Sequence, residues 1–153
     1  MPEEPPPFPP RDDYVPTRGV IFFARLLDKI RLHAAGRLPA DYNLGFNRPD
    51  TFDARFCRFW SVDFDALTAR TLAGGSDEEV FDATFAGRLP LNEEHVRAWN
   101  GFISKRGWRD DASADLVIDR TALGFGDRDD IQTYVDLHDV DEGREIRERG
   151  IGE

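Results

Sequence analysis

Apolar residues recur along most of this chain at every third or fourth position, which is the spacing of amphipathic helices. The clearest example predicts a first helix from Gly19 to Ala35, ended by Gly36, because glycine readily adopts the left-handed conformation found after helix C-termini. One broad side of this helix is apolar and consists of Phe22, Phe23, Leu26, Leu27, Ile30 and Ala34. Its other side is charged and carries Arg25, Asp28, Lys29 and Arg31.

Two apolar residues, Ile21 and Leu32, fall within the charged side of this helix. An apolar side chain on a helix surface is stabilised when another segment removes it from water. We therefore expect part of this second side to be covered, either by the N-terminal segment or by a partner chain.

The N-terminal segment, residues 1–16, contains seven of the ten prolines. Proline lacks an amide donor and favours the extended polyproline II conformation over helix or central strand. We predict an extended leader that is either solvated or laid over the domain through Phe8 and Tyr14. Its proline spacing would also suit an SH3-type groove. The predicted organisation is a leader over 1–16, a helical domain over 17–144 and a charged tail over 145–153.

Further helices are predicted from residues that cap helix N-termini, since their side chains bond to otherwise unpaired backbone amides. Residues 112–125, which include Leu116-Val117-Ile118, fit either a helix or a short strand, and we predict a helix. The predicted fold is a mainly α, compact single domain of about six or seven short helices. The other predicted starts are Asn47 and Pro49, Asp63, Ser76 with Glu79, Asn92, and Asp127.

Charge is unevenly distributed along the chain. Residues 17–60 hold eight Arg and Lys against four Asp and Glu, whereas residues 61–153 hold eleven against twenty-two, and the net charge of the whole chain is −10. A strongly negative protein repels phosphate backbones and anionic lipids. We therefore expect no nucleic-acid partner and no membrane partner.

The single cysteine, Cys57, lies between Phe56 and Phe59 in an apolar stretch. With no second cysteine it forms no internal disulfide, and its surroundings favour a buried, unreactive thiol over a nucleophile. No signal peptide pattern or apolar span of membrane length is visible in the sequence. These features predict a cytoplasmic protein.

The basic residues of the first helix are the candidate ligand-binding site. Arg25, Lys29 and Arg31, together with Tyr42, would suit a phosphate or carboxylate ligand. Alternatively, the same cations form an intramolecular ion-pair network with the acidic C-terminal half, and we favour this second interpretation because such networks are common and do no chemistry. No catalytic residues are predicted from the sequence.

The C-terminal aspartates are the candidate cation site, because carboxylates are the preferred ligands of hard cations. The EF-hand template fails when Gly143 is taken as its sixth position, since Arg149 then stands where the closing Glu belongs. The three histidines also lack zinc-ligand spacing. We favour a solvated acidic surface and predict no metal and no cofactor.

Several short motifs occur together in this chain. They are Leu26-Leu27-Asp28-Lys29-x-Arg31, Asp41-Tyr42, Trp99-Asn100, and Leu137-His138-Asp139-Val140-Asp141-Glu142-Gly143-Arg144. In combination they resemble the bacterial family called domain of unknown function 5069, over roughly residues 17–144. The resemblance implies a small bacterial helical protein and supplies no activity and no catalytic residues.

Two classes of function follow from these observations. The leading hypothesis is a non-catalytic protein-interaction or regulatory module, acting with a protein partner or a second copy of itself. It rests on the charge asymmetry, the apolar residues on the second side of the first helix, and the missing catalytic motifs. The alternative is a small-molecule enzyme or ligand-binding protein with a small anionic ligand held beside the first helix.

Overall fold

The computed structural model describes residues 4–147, so the first three residues of the predicted leader and residues 148–153 of the predicted tail lie outside the described residues. Within the described range the fold is mainly α, as predicted, with seven helices and a single isolated bridge between Thr17 and Val20. The helices are α1 (Phe23–Ala34), α2 (Phe52–Trp60), α3 (Phe64–Leu72), α4 (Asp77–Thr84), α5 (Glu93–Lys105), α6 (Ser113–Ala122) and α7 (Tyr134–Asp141).

The chain divides into two compact units, Met1–Trp99 and Asn100–Glu153. In the first unit α1 packs against α3, and α3 against α4. Its core is aromatic and includes a T-shaped contact between Phe23 and Phe81, whose ring centroids are 5.1 Å apart. Phe22, Phe56 and Trp99 belong to the same core and are at most 1% exposed.

The second unit has its own, smaller apolar cluster. Leu116 of α6 and Leu137 of α7 are buried together there with Ile131, which lies in the segment before α7. Four partly buried residues pack around them, namely Phe125, Tyr134, Val140 and Ile146.

Helix starts were predicted correctly where a capping side chain lies close in sequence to the amide it binds. Asp63 accepts a hydrogen bond from the amide of Ala66 at 2.9 Å. Ser76 and Glu79 form the predicted reciprocal capping box, and Asn92 accepts from the amide of Glu94 at 2.8 Å. The predicted helix over residues 112–125 is also confirmed, as α6.

Three predicted helix starts are wrong. The first helix begins at Phe23 instead of Gly19, because residues 17–20 form a tight turn and Phe22 has φ of 76°, outside the helical region. The second begins after Thr51, whose hydroxyl caps the amide of Ala54 and replaces the expected start near Asn47. The last begins after Thr133, which shares a capping box with Asp136, so Asp127 does not start it.

Among residues 4–147, no helix combines the length and the apolar character required to cross a membrane.

Candidate functional site

Three of the four charged residues on the charged side of α1 are buried, and the fourth, Arg31, is partly buried. Arg25 is 4% exposed, Asp28 2% and Lys29 5%. Charged side chains are rarely this inaccessible unless each one meets an opposite charge or a full set of hydrogen-bond partners. The partners of these residues therefore decide what this side of the helix can bind.

Lys29 lies in a closed polar pocket with Asp53 of α2. Its Nζ donates to Asp53 Oδ1 at 2.6 Å and to the backbone oxygen of Asn43 at 2.9 Å. The second carboxylate oxygen of Asp53 accepts from the amide of Gly45 at 2.7 Å. Lys29 Nζ also lies 5.5 Å from the centroid of the Phe22 ring. This buried cation is neutralised from within the chain, so it attracts a ligand only weakly.

Arg25 turns toward the leader. Its guanidinium donates to the backbone oxygen of Arg11 at 3.1 Å, and its Nε lies 3.9 Å from Asp13 Oδ1. Asp13 is fully buried. Arg25 thus helps hold residues 11–13 against α1.

Arg31 shares a carboxylate with Arg11 of the leader. Arg31 Nη1 and Arg11 Nη2 lie 2.8 and 2.7 Å from the two oxygens of Asp77, at the start of α4. Arg11 also forms a two-point pair with Asp28, with bonds of 2.9 and 2.8 Å. Two guanidinium groups and two carboxylates therefore form a continuous charge-assisted network.

A recess of about 360 Å³ opens beside this network. Prolines of the leader line it together with Arg11, Arg31, Asp28 and Asp77. An anion entering the recess would meet guanidinium groups already bound to carboxylates, and it would be repelled by those carboxylates. The free energy gained by binding an anion in this recess is therefore small.

The four predicted ligand-binding residues do not converge on one site. Arg31 lines the recess, whereas Arg25 and Lys29 are buried in separate ion pairs. Tyr42 is half-buried and contacts the leader, with its ring centroid 5.7 Å from that of Phe8. The carboxylates that pair with the three cations are Asp53, Asp77 and Asp13, so most of the network lies outside the acidic C-terminal half.

Sequence reasoning missed Arg11 and Asp77 as members of this network. Arg11 is the one basic residue in the first sixteen, and its isolation was the available signal. Asp77 lies between Ser76 and Glu79 of the capping box, and its position in the first turn of a helix gives no sign of a long-range ion pair.

Asp77 has a pKa below its ordinary value. Burial acts in the opposite direction and is the largest single influence, but hydrogen bonds from Arg31 and Arg11 and their positive charges together outweigh it. A carboxylate whose pKa falls on folding stabilises the native state above its unfolded pKa, which is about 3.9 for aspartate. This contribution disappears as the pH falls through the lower, folded-state value.

We therefore expect Asp77→Asn to flatten the acid limb of the stability profile. In the wild type, stability should fall between about pH 5 and pH 2 as Asp77 becomes protonated, and the variant should lack that part of the fall. Urea unfolding measured across this range by circular dichroism tests the prediction. Asp41→Asn is the control, since Asp41 is exposed and forms no ion pair with the described residues. Identical acid limbs in wild type and Asp77→Asn would contradict it.

A second depression, of about 710 Å³, lies in the first unit between α4 and the start of α5. Its apolar wall contains Phe81, Leu89, Pro90, Leu91 and Val96. The charged rim includes Arg18, which forms a two-point pair with Asp82 through bonds of 3.2 and 2.8 Å. The rim holds two cations and two anions, so its charge favours neither an acidic nor a basic ligand.

A different apolar surface lies on α6 in the second unit. Ala114, Val117, Ile118, Thr121 and Ala122 are all exposed and are spaced as one stripe along the helix. We call this set of five residues the α6 face. Val117 is 48% exposed and Ile118 64%. The α6 face lies on the side opposite Leu116, which is 3% exposed and anchors α6 in its core.

A comparison with protein-family models shows the family of this chain. The family described as Domain of unknown function (DUF5069) matches residues 8–144, which is most of the chain. The chain belongs to this family. The resemblance inferred from the sequence motifs is thus confirmed, and the match extends into the leader. A search of curated proteins finds no match to this DUF5069 chain.

Neither thiol chemistry nor metal binding is supported by the described residues of this DUF5069 protein. Cys57 is buried, as predicted, and burial is the main reason that its pKa rises to about 12. The thiol is therefore protonated at neutral pH and is a poor nucleophile. Within residues 4–147, no group of three or more His, Cys, Asp or Glu side chains is arranged to hold a metal ion.

Proposed function

We propose that this DUF5069 protein is a non-catalytic protein-interaction or regulatory module of the bacterial cytoplasm, and that the α6 face binds its partner. The observation that supports this most directly is the exposure of Val117 and Ile118 side by side in the middle of the helix. Contiguous exposed apolar residues bordered by polar ones are typical of protein-binding surfaces.

The local sequence explains why this surface exists. Leu116, Val117 and Ile118 are consecutive, and consecutive helical residues point in directions about 100° apart. A core on one side of α6 therefore cannot bury all three of these side chains. Leu116 is packed in the second unit, and the other two are left in solvent. A partner that covered them would remove their apolar area from water, which is favourable by about 25 cal/mol per Å².

Site-directed photocrosslinking in living bacterial cells tests the proposal. A photoreactive amino acid at Val117 is expected to give one discrete adduct, because a specific partner covers that position. Ile118→Gln in the same chain should abolish the adduct, since it removes an apolar contact without adding charge. A probe at Leu72 is the matched control, as Leu72 is 50% exposed but lies on α3.

Mass spectrometry of the adduct then names the partner, and the purified pair must bind in solution. Ile118→Gln should weaken that binding by at least about ten-fold, and Leu72→Gln should not change it. Absence of any adduct specific to the α6 face, or an unchanged adduct in Ile118→Gln, would refute the proposal.

The competing candidate is a small-molecule enzyme or ligand-binding protein that holds an anion with Arg25, Lys29, Arg31 and Tyr42. It has less support, because the three cations are each within ion-pair distance of a carboxylate of the same chain. An anion would have to replace these carboxylates, and the buried acid left behind would lose its partner.

A further inference from the structure

The border of the α6 face is acidic on one side. Asp115 and Asp119 are one helical turn apart, are both exposed, and follow the stripe formed by Val117 and Ile118 along that side. Asp119 accepts a hydrogen bond from the Tyr134 hydroxyl at 2.7 Å. Asp115 forms no ion pair with the described residues. The apolar stripe is therefore flanked by negative charge.

The surrounding sequence strengthens this charge. Residues 110–130 contain seven aspartates and two arginines, Arg120 and Arg128. Both arginines already face carboxylates of this segment, Arg120 at 3.7 Å from Asp129 and Arg128 at 2.8 Å from Asp130. Asp110 and Asp111 are paired with Arg106, which lies just before this segment. The negative charge beside the α6 face is therefore that of Asp115 and Asp119, and it is this charge that would attract a positively charged partner.

We infer that the α6 face binds a basic amphipathic helix of another protein, with the apolar side of that helix on Val117 and Ile118 and its Lys or Arg residues beside Asp115 and Asp119. This inference rests on the proposed function and adds the chemistry of the partner. An amphipathic helix that meets an apolar surface through residues spaced i, i+3, i+4 and i+7 is a recurrent recognition mode.

The shape of the α6 face suits a helix. Its largest side chains are adjacent near the middle of α6, and the small residues Ala114 and Ala122 stand at its two ends. Helices pack by inserting ridges of side chains into grooves of the facing helix, at axis separations of about 8–10 Å. Small residues at the ends allow a crossing helix to approach closely without a clash.

A second copy of this chain is a poorer occupant because its α6 face has the same acidic border. Pairing two copies through this face would bring Asp115 and Asp119 of each copy close to another chain of net charge −10, and like charges repel.

Fluorescence anisotropy with designed peptides tests the inference. The probe is a labelled amphipathic helical peptide of leucine and lysine, and its counterpart has glutamate at every lysine position. We expect the full-length protein to bind the lysine peptide and to bind the glutamate peptide at least about ten-fold more weakly. Binding of the lysine peptide should also weaken as salt is raised, because exposed charges are screened.

Two matched pairs of variants separate this site from general attraction to an acidic protein. Ile118→Gln should weaken binding of the lysine peptide by about ten-fold or more, whereas Leu72→Gln should leave it unchanged. Asp115→Asn should weaken it about two- to five-fold, whereas Asp65→Asn should not, although Asp65 is also an exposed acid in the first turn of a helix. Circular dichroism confirms that each variant is folded.

The inference would be overturned by equal binding of the two peptides, by equal binding of the lysine peptide to Ile118→Gln and wild type, or by a dimer in sedimentation that Ile118→Gln dissociates. The last result identifies a second copy as the occupant. A crosslinked partner that covers Val117 but presents an acidic or neutral segment would uphold the proposed function while refuting this inference. Loss of both the crosslink and the peptide binding would refute both.

Discussion

Asp53→Ala is expected to lower the free energy of unfolding by about 3–5 kcal/mol, because removing one partner of a buried ion pair leaves the other charge uncompensated. Asp53 is fully buried and accepts from Lys29 Nζ at 2.6 Å and from the Gly45 amide at 2.7 Å. The substitution therefore leaves a buried ammonium group with one backbone oxygen, that of Asn43, and frees an amide in the loop before α2. Urea unfolding followed by circular dichroism measures the loss.

A second carboxylate provides the control for this prediction. Asp50 also lies close to an arginine, with 3.6 Å between its Oδ1 and Arg55 Nη2, but its side chain is 81% exposed. Exposed pairs contribute at most about 1 kcal/mol, so Asp50→Ala should change stability little. The double variant Lys29→Met with Asp53→Leu should recover much of the loss, since it removes both buried charges together. Equal effects of Asp53→Ala and Asp50→Ala would contradict the prediction.

Trp99→Ala is expected to cost about 3–5 kcal/mol, which is the usual range for removing a large aromatic side chain from a core. Trp99 is 1% exposed, and its ring centroid lies 5.3 Å from that of Phe56 and 6.5 Å from that of Phe22. Its Nε1 donates to the backbone oxygen of Ile21 at 3.1 Å, in the segment just before α1. The side chain thus supports both the aromatic core and the start of that helix.

Trp108 is the matched control, because it is the same residue type but 43% exposed and is contacted by the guanidinium of Arg109 at 5.1 Å. Trp108→Ala should cost less than about 1 kcal/mol. Trp99→Phe isolates the hydrogen bond from the ring packing, since it keeps most of the aromatic volume and loses the N–H donor; a loss near 1 kcal/mol is expected beyond the change in volume. Similar costs for Trp99→Ala and Trp108→Ala would refute the assignment of Trp99 to the core.

Local sequence signals predicted the helices correctly, but they predicted only some of the helix starts. The Ser76-x-x-Glu79 capping box was recognised, because both partners lie within one turn of each other. The equivalent Thr133-x-x-Asp136 box was missed, because Asp127 offered an earlier capping residue. A helix starting at Asp127 would have included Ile131, but Ile131 lies before α7 and is nevertheless buried. Burial there is imposed by the core of the second unit.

At the candidate ligand site, the sequence predicted little beyond which residues share a helix, and the long-range partners came from the tertiary structure. The sequence correctly places Arg25, Lys29 and Arg31 on one helix, and it predicts that something covers part of its second side. It does not predict that Lys29 meets Asp53, twenty-four positions away, or that Arg31 shares Asp77 with Arg11. This chain contains many residues of opposite charge that could pair with each cation. Only the packing of α1 against its neighbours determines which of them do.

The sequence by itself determined the mainly helical character of the described chain, the caps formed by nearby residues and the family to which the protein belongs. These properties follow from helical periodicity and from contacts between residues a few positions apart, which a linear pattern records directly. Only the tertiary structure decided that the cations of α1 are neutralised inside the chain and that Val117 and Ile118 remain in solvent. Both outcomes depend on which distant segments pack against each helix, and that choice is a property of the whole fold.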